Sequence, residues 1–373
     1  MSAVDKLTQA QDKNKSIICL GLDLDPRRMP AELSRSIKGM YDFTMKIIDA
    51  TRDMVCAYKP NLAFYENKGP EGFSLLRSIV EHVPEDIVVI LDGKRGDIGN
   101  TASFYAEALF KKLGADWVTL SPYMGYDSMR PFLEYEDKGI FVLCLTSNTG
   151  SKDFQHLVID GKPLYQIVAE KVSYWNKEDN CGLVVGATQP EQLRQLRTVA
   201  DRMPLLIPGV GAQGGSLEKA AVYGTDNFQK LAIINVCRSV LYASTGEDFA
   251  ERARGELKKL NDIVSGLRTG EIQLDAAPSP AAEESLEEAP EEPAAPPPPE
   301  PPKKEWKLPP IPDLPFMRPK KEREEQNQTT NQPPPSDRPP DGHRNNSRDF
   351  RDRGERQHRD NRRNHNWPPN RND

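Results

Sequence analysis

The segment VVILDGKRGDIGNTA, residues 88–102, places four charged side chains within six positions: Asp92, Lys94, Arg95 and Asp97. The β-branched residues before them predict a buried strand over residues 87–91. Since alternate side chains of a strand share a face, Asp92 and Lys94 should point the same way, with Asp97 on the following loop. Two acids and an ammonium in one pocket could transfer protons or stabilise charge on a ligand. A solvated turn with a surface salt bridge is the alternative for this segment alone.

The elements that would position these charges are short apolar runs separated by amphipathic stretches of helical length. The runs cover residues 16–23, 54–60, 87–92, 116–122, 139–146, 181–188, 205–209 and 231–239. Buried strands alternating with helices predict an α/β fold with a parallel sheet. Eight such units in about 250 residues match a closed (β/α)8 TIM barrel, with a doubly wound open sheet as the alternative.

Polar residues follow the predicted strands, which is where active sites of (β/α)8 barrels collect. They are Asp23, Asp25, Lys59, Asn61, residues 92–97, residues 146–148, Gln213 and Arg238. The glycine-rich loop PGVGAQGGSLEKA, residues 208–220, opens a helix and offers free backbone N–H groups to an anion. With the Arg238 guanidinium after the eighth strand, it predicts a site for a phosphorylated small molecule.

Composition divides the 373 residues into a barrel domain, residues 1–268, and a low-complexity tail, residues 269–373. About two thirds of the 33 prolines lie in the tail, which is first Pro/Glu-rich and then Arg/Asn-rich, and should be disordered. The five cysteines are widely spaced and read as buried free thiols. No signal peptide or membrane span is evident, so a cytoplasmic location is expected. The net charge of −6 favours no particular partner.

Five sequence blocks, taken together, resemble the orotidine 5'-phosphate decarboxylase family, in particular its longer bacterial branch, type 2. The blocks are AYKPNLAFYE, LDGKRGDIGNT, FVLCLTSNTGS, VVGAT and LIPGVGAQGG, and the resemblance covers roughly residues 5–265. It implies decarboxylation of orotidine 5'-monophosphate (OMP) to uridine monophosphate (UMP) in pyrimidine biosynthesis, with neither metal nor organic cofactor. It also implies a homodimer with shared active sites.

The resemblance assigns roles to individual residues. Lys59, Asp92, Lys94 and Asp97 would form an alternating Lys-Asp-Lys-Asp network, with Lys94 as the proton donor. Asp97 and Thr101 would reach into the neighbouring subunit's site. The remaining substrate contacts would be Asp23 to the ribose, Ser147 to the pyrimidine edge, and Gln213, Gly214 and Arg238 on the phosphate side.

Three positions depart from this pattern or have no role in it. Gly99 stands where many relatives have proline, which should loosen the loop. Cys237 is larger than the residue expected before Arg238, and Arg95 has no assigned role.

Two alternatives to the decarboxylase remain open. A related phosphosugar barrel would share the Asp-Lys-Asp signature but use magnesium, which Lys59 would repel. In the second alternative the barrel is a scaffold presenting the tail. The tail could contact RNA through its arginines, or a protein partner through the apolar residues of KKEWKLPPIPDLPFMRP, residues 303–319.

Overall fold

The computed structural model describes residues 1–211 and 214–274. Gln213 lies outside the described residues, as does the tail from residue 275 onward. The last described helix ends at Thr269. The division into residues 1–268 and 269–373, the disorder of the tail and its RNA or protein contacts therefore stay predictions.

Strands and helices alternate along most of the described chain. The strands are β1 (Ile18–Gly21), β2 (Ala57–Lys59), β3 (Val88–Arg95), β4 (Trp117–Leu120), β5 (Gly139–Leu145), β6 (Val158–Ile159), β7 (Lys162–Pro163), β8 (Cys181–Val185), β9 (Leu205–Pro208) and β10 (Ala232–Val236). The helices are α1 (Ala3–Asn14), α2 (Ile37–Thr51), α3 (Ala63–Glu66), α4 (Pro70–His82), α5 (Gly99–Ala106), α6 (Tyr126–Leu133), α7 (Leu164–Trp175), α8 (Pro190–Val199), α9 (Leu217–Gly224), α10 (Arg238–Leu241) and α11 (Phe249–Thr269).

Eight parallel strands close into a barrel in the order β1, β10, β9, β8, β5, β4, β3, β2. The pairing of β1 with both β2 and β10 joins the two ends of the sheet, with Cys19 opposite Ala57 and Ile18 opposite Ile234. The predicted (β/α)8 TIM barrel is therefore confirmed, and the open doubly wound alternative is wrong. The remaining two strands, β6 and β7, form a small antiparallel hairpin that the sequence did not predict.

Strand β3 extends further than the sequence predicted. The glycines after Leu91 suggested that the strand ends there, but it continues to Arg95. Its pairing with β4 jumps from Leu91 opposite Val118 to Arg95 opposite Leu120, so β3 carries extra residues at this point. Such a bulge re-aims side chains at the end of a strand. Asp92 and Lys94 both lie within it.

The barrel interior is filled by an apolar layer of inward-facing side chains, and α1 closes it at the amino-terminal ends of the strands. Trp117 and Phe141 stack in this layer with ring centroids 4.5 Å apart. Ala3, Leu7 and Ala10 of α1 are buried in the same cluster. The cavity lined by Asp23, Lys59 and Asp92 lies at the carboxyl ends of the strands, where active sites of this architecture are usually found.

The outer helices bury their apolar faces against the barrel, and α11 packs on α2. Within residues 1–211 and 214–274, no helix combines the length and the apolar character needed to cross a membrane. The cytoplasmic location stays a prediction.

Candidate active site

The two-residue period of the strands lifts polar side chains directly above the apolar layer of the barrel. Lys59 follows the interior residue Ala57 by two positions, and Asp92 follows Ile90 in the same way. Since residues i and i+2 of a strand point to the same face, both side chains enter the barrel mouth. Lys59 is 4% exposed and Asp92 is 7% exposed. The sequence prediction that these charges converge is therefore supported by their placement.

Asp92 is the centre of a charged cluster with Lys59 and Lys94. Lys59 Nζ donates to Asp92 Oδ2 at 2.9 Å, and Lys94 Nζ donates to Asp92 Oδ1 at 2.6 Å. Thr119 Oγ1 donates to the same Oδ1 at 2.9 Å. Lys94 remains 46% exposed, in contrast to Lys59, so its ammonium faces the cavity.

Mutual electrostatic stabilisation keeps the buried members of the cluster charged. Burial alone would lower the pKa of Lys59, but Asp92 and Asp23 raise that pKa above its ordinary value. Burial alone would raise the pKa of Asp92, but Lys59 and Lys94 hold it well below its usual range. At neutral pH an ammonium and a carboxylate therefore coexist at the floor of the cavity.

The cavity above this cluster has a volume of about 340 Å³. Asp23 and Ser147 line it, and each has a buried oxygen, Asp23 Oδ1 and Ser147 Oγ, without a hydrogen-bond partner among the described residues. Space for Ser147 depends on Gly186, because a Cβ at that position would stand 2.3 Å from Ser147 Oγ. Buried polar atoms normally have partners, so these two oxygens indicate contacts to a polar ligand.

The part of the cavity formed by the segments that follow β9 and β10 carries groups suited to an anion. The exposed Arg238 lines it together with Gly209 and Val210, which begin the glycine-rich loop after β9. Gly214 has φ +83° and its N–H donates to Gly211 O, but Gly214 does not line the cavity of the described residues. Gln213 is outside the described residues, so its predicted phosphate contact stays a prediction.

Asp97 and Thr101 do not line the cavity formed by the described residues of this chain. Asp97 Oδ1 instead accepts the N–H of Ile98 at 2.8 Å, and Thr101 is exposed near the start of α5. A single chain therefore brings together Lys59, Asp92 and Lys94 of the predicted network, without Asp97.

Two other residues, Arg95 and Asp25, have local contacts that the sequence did not define. Arg95 forms an ion pair with Glu66 of α3 and lies over the ring of Tyr105 at 5.6 Å. Asp25, which also follows β1, binds Arg27 and does not line the cavity. Arg95 thus ties the end of β3 to two helices.

The cysteines are all free thiols, and four of them are buried as predicted. Cys237 is partly exposed and lines the cavity next to Arg238. It fits closely against β1, because a Cβ at Gly21 would stand 2.8 Å from the Cβ of Cys237. Burial raises the pKa of Cys237 to about 12, so the thiol adds no charge to the site.

Three polar residues of the cavity were missed by sequence reasoning: Thr119, Asn235 and Ser239. Thr119 and Asn235 line the site from β4 and β10. Each follows an interior residue, Trp117 or Ile233, by two positions, the same spacing that places Asp92. That spacing was the available signal, but a threonine or asparagine inside an apolar strand does not stand out by charge.

The fold and the site define a (β/α)8-barrel enzyme with a charged cavity at the carboxyl ends of its strands. A sequence profile described as "Orotidine 5'-phosphate decarboxylase / HUMPS family" matches residues 16–253. A Dehalococcoides mccartyi protein named orotidine 5'-phosphate decarboxylase is 48% identical over 272 residues, which is 72% of this chain and 99% of that protein. One of the same name from Herpetosiphon aurantiacus is 51% identical over 253 residues, covering 67% and 93% respectively. The chain therefore belongs to the orotidine 5'-phosphate decarboxylase / HUMPS family.

Solved structures agree with this membership. The OMP decarboxylase of Leishmania donovani is 38% identical with a TM-score of 0.62, over 71% of this chain and 99% of that chain. The UMP synthase of the same organism is 39% identical with a TM-score of 0.66, over 72% of this chain but only 57% of that longer chain. The family and enzyme class predicted from the five sequence blocks are confirmed.

Proposed function

We propose that the chain decarboxylates OMP to UMP and CO2, using Lys59, Asp92, Lys94 and Asp97 of the partner subunit, with Lys94 as the proton donor. The observation that carries this proposal is the Asp92 carboxylate held between two ammonium groups, at 2.9 and 2.6 Å, at the floor of the cavity. The names of the relatives supply the substrate, since all those reported above are decarboxylases of OMP or a synthase of UMP.

Decarboxylation requires positive charge at C6 of the pyrimidine. Breaking the C6–carboxylate bond releases CO2 and leaves the electron pair on C6, where the ring cannot delocalise it well. The Lys94 ammonium would stabilise this charge and then transfer a proton to C6, and the resulting amine would recover a proton from water. Lys59 and Asp92 would hold Lys94 in place before the reaction, so little reorganisation would be needed.

The rest of the nucleotide would be bound by the cavity walls. Asp23 Oδ1 would accept a ribose hydroxyl, and Ser147 Oγ would contact the pyrimidine edge. Arg238 and the loop after β9 would bind the 5'-phosphate, with Gln213 and Gly214 completing that side. Binding energy from this remote phosphate can be used to lower the barrier at C6.

The contacts of Asp92 also argue against the magnesium-dependent alternative. Both of its oxygens already accept hydrogen bonds from ammonium groups, and Lys59 lies where a cation bound to Oδ2 would be repelled. Within the described ranges, moreover, no three His, Cys, Asp or Glu side chains are arranged to hold a metal ion. The donor set therefore fits a metal-free decarboxylase better than a magnesium site.

The proposed activity is tested by following the loss of OMP absorbance with the purified full chain in excess EDTA. We expect rapid conversion to UMP that is insensitive to EDTA. Conversion that stops with EDTA and returns with magnesium would favour the metal-dependent alternative. Failure of the folded protein to convert OMP under either condition would contradict the proposal and favour a scaffold role.

A contact to the ribose makes Asp23 important for binding. Asp23→Ala should lower kcat/KM for OMP by about 10- to 100-fold, mainly through KM, since a hydrogen bond to a charged group contributes about 1.5–3 kcal/mol. Steady-state kinetics on OMP measures this loss. Asp25→Ala is the matched control, because that carboxylate binds Arg27 and does not line the cavity. Equal kinetics for the two variants would remove Asp23 from the substrate contacts.

We further propose that the enzyme is a homodimer in which Asp97 and Thr101 complete the partner's site. Both lie outside this chain's cavity, in or beside a segment that exposes apolar side chains. Ile98 is 53% exposed, Phe104 is 64% exposed, and Tyr123, just before α6, is 88% exposed. Helices α5 and α6 pack together, so these side chains supply apolar surface that a second subunit could cover.

A shared site predicts complementation between two inactive variants. In a dimer of Lys94→Ala with Asp97→Ala, one of the two sites has both native residues. Random exchange makes about half of the dimers mixed, so an equimolar mixture should recover about a quarter of wild-type activity. OMP turnover before and after mixing measures this, with labelled subunits to confirm exchange. Exchange without recovery would show that each site is built from one chain.

A further inference from the structure

Thr119 of β4 lies between the Asp92 carboxylate and the backbone of Lys94, two groups whose relative position determines where the Lys94 ammonium stands. Its hydroxyl donates to Asp92 Oδ1 at 2.9 Å and accepts the backbone N–H of Lys94 at 2.9 Å. The directions are fixed, because a backbone N–H can only donate and an ionised carboxylate can only accept. Thr119 is 1% exposed, so water does not easily replace either bond.

The bond to Lys94 acts at an irregular point of the backbone. Lys94 has φ +45°, a left-handed conformation that is unfavourable for residues other than glycine. It lies in the bulge where β3 and β4 lose their regular register between Leu91 and Arg95. The Thr119 hydroxyl thus satisfies an N–H in the bulge and helps to hold the backbone that aims Lys94 into the cavity.

We propose that Thr119 is a positioning residue that fixes the Lys94 ammonium relative to Asp92 by holding both the Lys94 backbone and the Asp92 carboxylate. This inference rests on the proposed role of Lys94 in OMP decarboxylation. Loss of the hydroxyl leaves the Lys94 N–H without its partner and removes one donor from Asp92, so the ammonium is less well placed at C6. A misplacement on the order of 1 Å can cost about 100-fold in rate.

The test compares Thr119→Val, which lacks the hydroxyl but keeps a similar volume, with Thr119→Ser, which keeps the hydroxyl. We expect Thr119→Val to lower kcat on OMP by about 10- to 100-fold with KM changed less than about threefold. Thr119→Ser should stay within about threefold of wild-type kcat. Thr44→Val is the control, because Thr44 is also fully buried but bonds to Met40 O within α2. Thr119→Ala replaces the valine variant if that variant does not fold.

The kinetic outcomes separate positioning from a general packing effect. A kcat loss in Thr119→Val that serine restores supports the proposal. Wild-type kcat in Thr119→Val, a loss that appears mainly in KM, or equal impairment by serine and valine would overturn it.

Failure of the proposed function would be recognised separately, as absence of OMP turnover by the wild-type chain. In that case a crystal structure of Thr119→Val decides the positioning role. Displacement of Lys94 Nζ from its site beside Asp92 Oδ1 supports it, and an unchanged position overturns it.

Discussion

Lys94→Ala should reduce kcat/KM for OMP by at least about 10⁴-fold while the protein stays folded. A positioned general acid contributes about 10²–10⁴-fold and a preorganised electrostatic group a further 10²–10³-fold, and Lys94 is proposed to supply both. The fold should survive because Lys94 is 46% exposed and Asp92 keeps its bonds to Lys59 and Thr119. Single-turnover and steady-state kinetics measure the loss of activity, and thermal melting tests whether the variant stays folded.

Two further variants test whether the loss of activity in Lys94→Ala comes from the missing proton donor. Lys171→Ala removes an exposed lysine of α7 and should leave kinetics unchanged. Lys94→Arg keeps a positive charge, but its guanidinium does not release a proton at accessible pH, so it should remain severely impaired. More than about a tenth of wild-type activity in Lys94→Ala would show that Lys94 is not the proton donor.

Asp92→Asn should produce the largest loss of stability among the site variants. The substitution removes the countercharge of Lys59, which is 4% exposed, and breaking a buried ion pair typically costs about 3–5 kcal/mol. Urea unfolding at pH 7 measures the change. The control is Asp25→Asn, whose partner Arg27 is exposed, and it should leave the free energy of unfolding nearly unchanged. Similar free energies of unfolding for both variants would mean that the buried charge of Lys59 does not need Asp92 as its countercharge.

The same variant should respond to pH in a direction that identifies Lys59. In the wild type the raised pKa of Lys59 contributes stability below its unfolded pKa of about 10.4, which is lost as pH rises further. In Asp92→Asn the attraction of Asp23 remains, but we expect burial to outweigh it and lower the Lys59 pKa, so that the unfolded chain binds more protons and stability increases with pH below about 10.4. The difference in unfolding free energy between wild type and Asp92→Asn should therefore narrow from pH 7 to pH 9. If the difference in unfolding free energy stays constant from pH 7 to pH 9, the unpaired charge of Lys59 is not the cause of the lost stability.

The barrel and the core of its site were predictable because both follow from simple periodicities. Eight apolar strands alternating with amphipathic helices favoured the closed barrel over the open sheet, and the two-residue period of a strand predicted that Asp92 and Lys94 point the same way. The end of β3 was not predictable in this way. Glycines at positions 93 and 96 suggested a loop, but pairing of Arg95 with Leu120 continued the strand through a bulge. Tertiary pairing decided the local structure there.

Other features depended on contacts between distant segments. Thr119 is unremarkable in the sequence WVTL, and its role becomes visible only when β4 lies beside the bulge of β3. The family resemblance supplied the expectation that Asp97 and Thr101 serve another subunit, which the pattern of a single chain does not contain. Their positions outside this chain's cavity are compatible with that expectation.

Helix α1, which closes the barrel, also contacts β10, the last strand of the barrel in sequence. Gln11 of α1 donates from Nε2 to the carbonyl of Ala232 in β10 at 2.8 Å, across 221 positions of sequence. During synthesis, α1 is made first, and the Ala232 carbonyl that Gln11 binds is made only after most of the barrel. Such long-range closure slows folding and couples the earliest and latest strands into one cooperative unit. A nascent chain that stops before β10 thus lacks both the last strand of the barrel and the carbonyl acceptor that fixes α1 across its amino-terminal end.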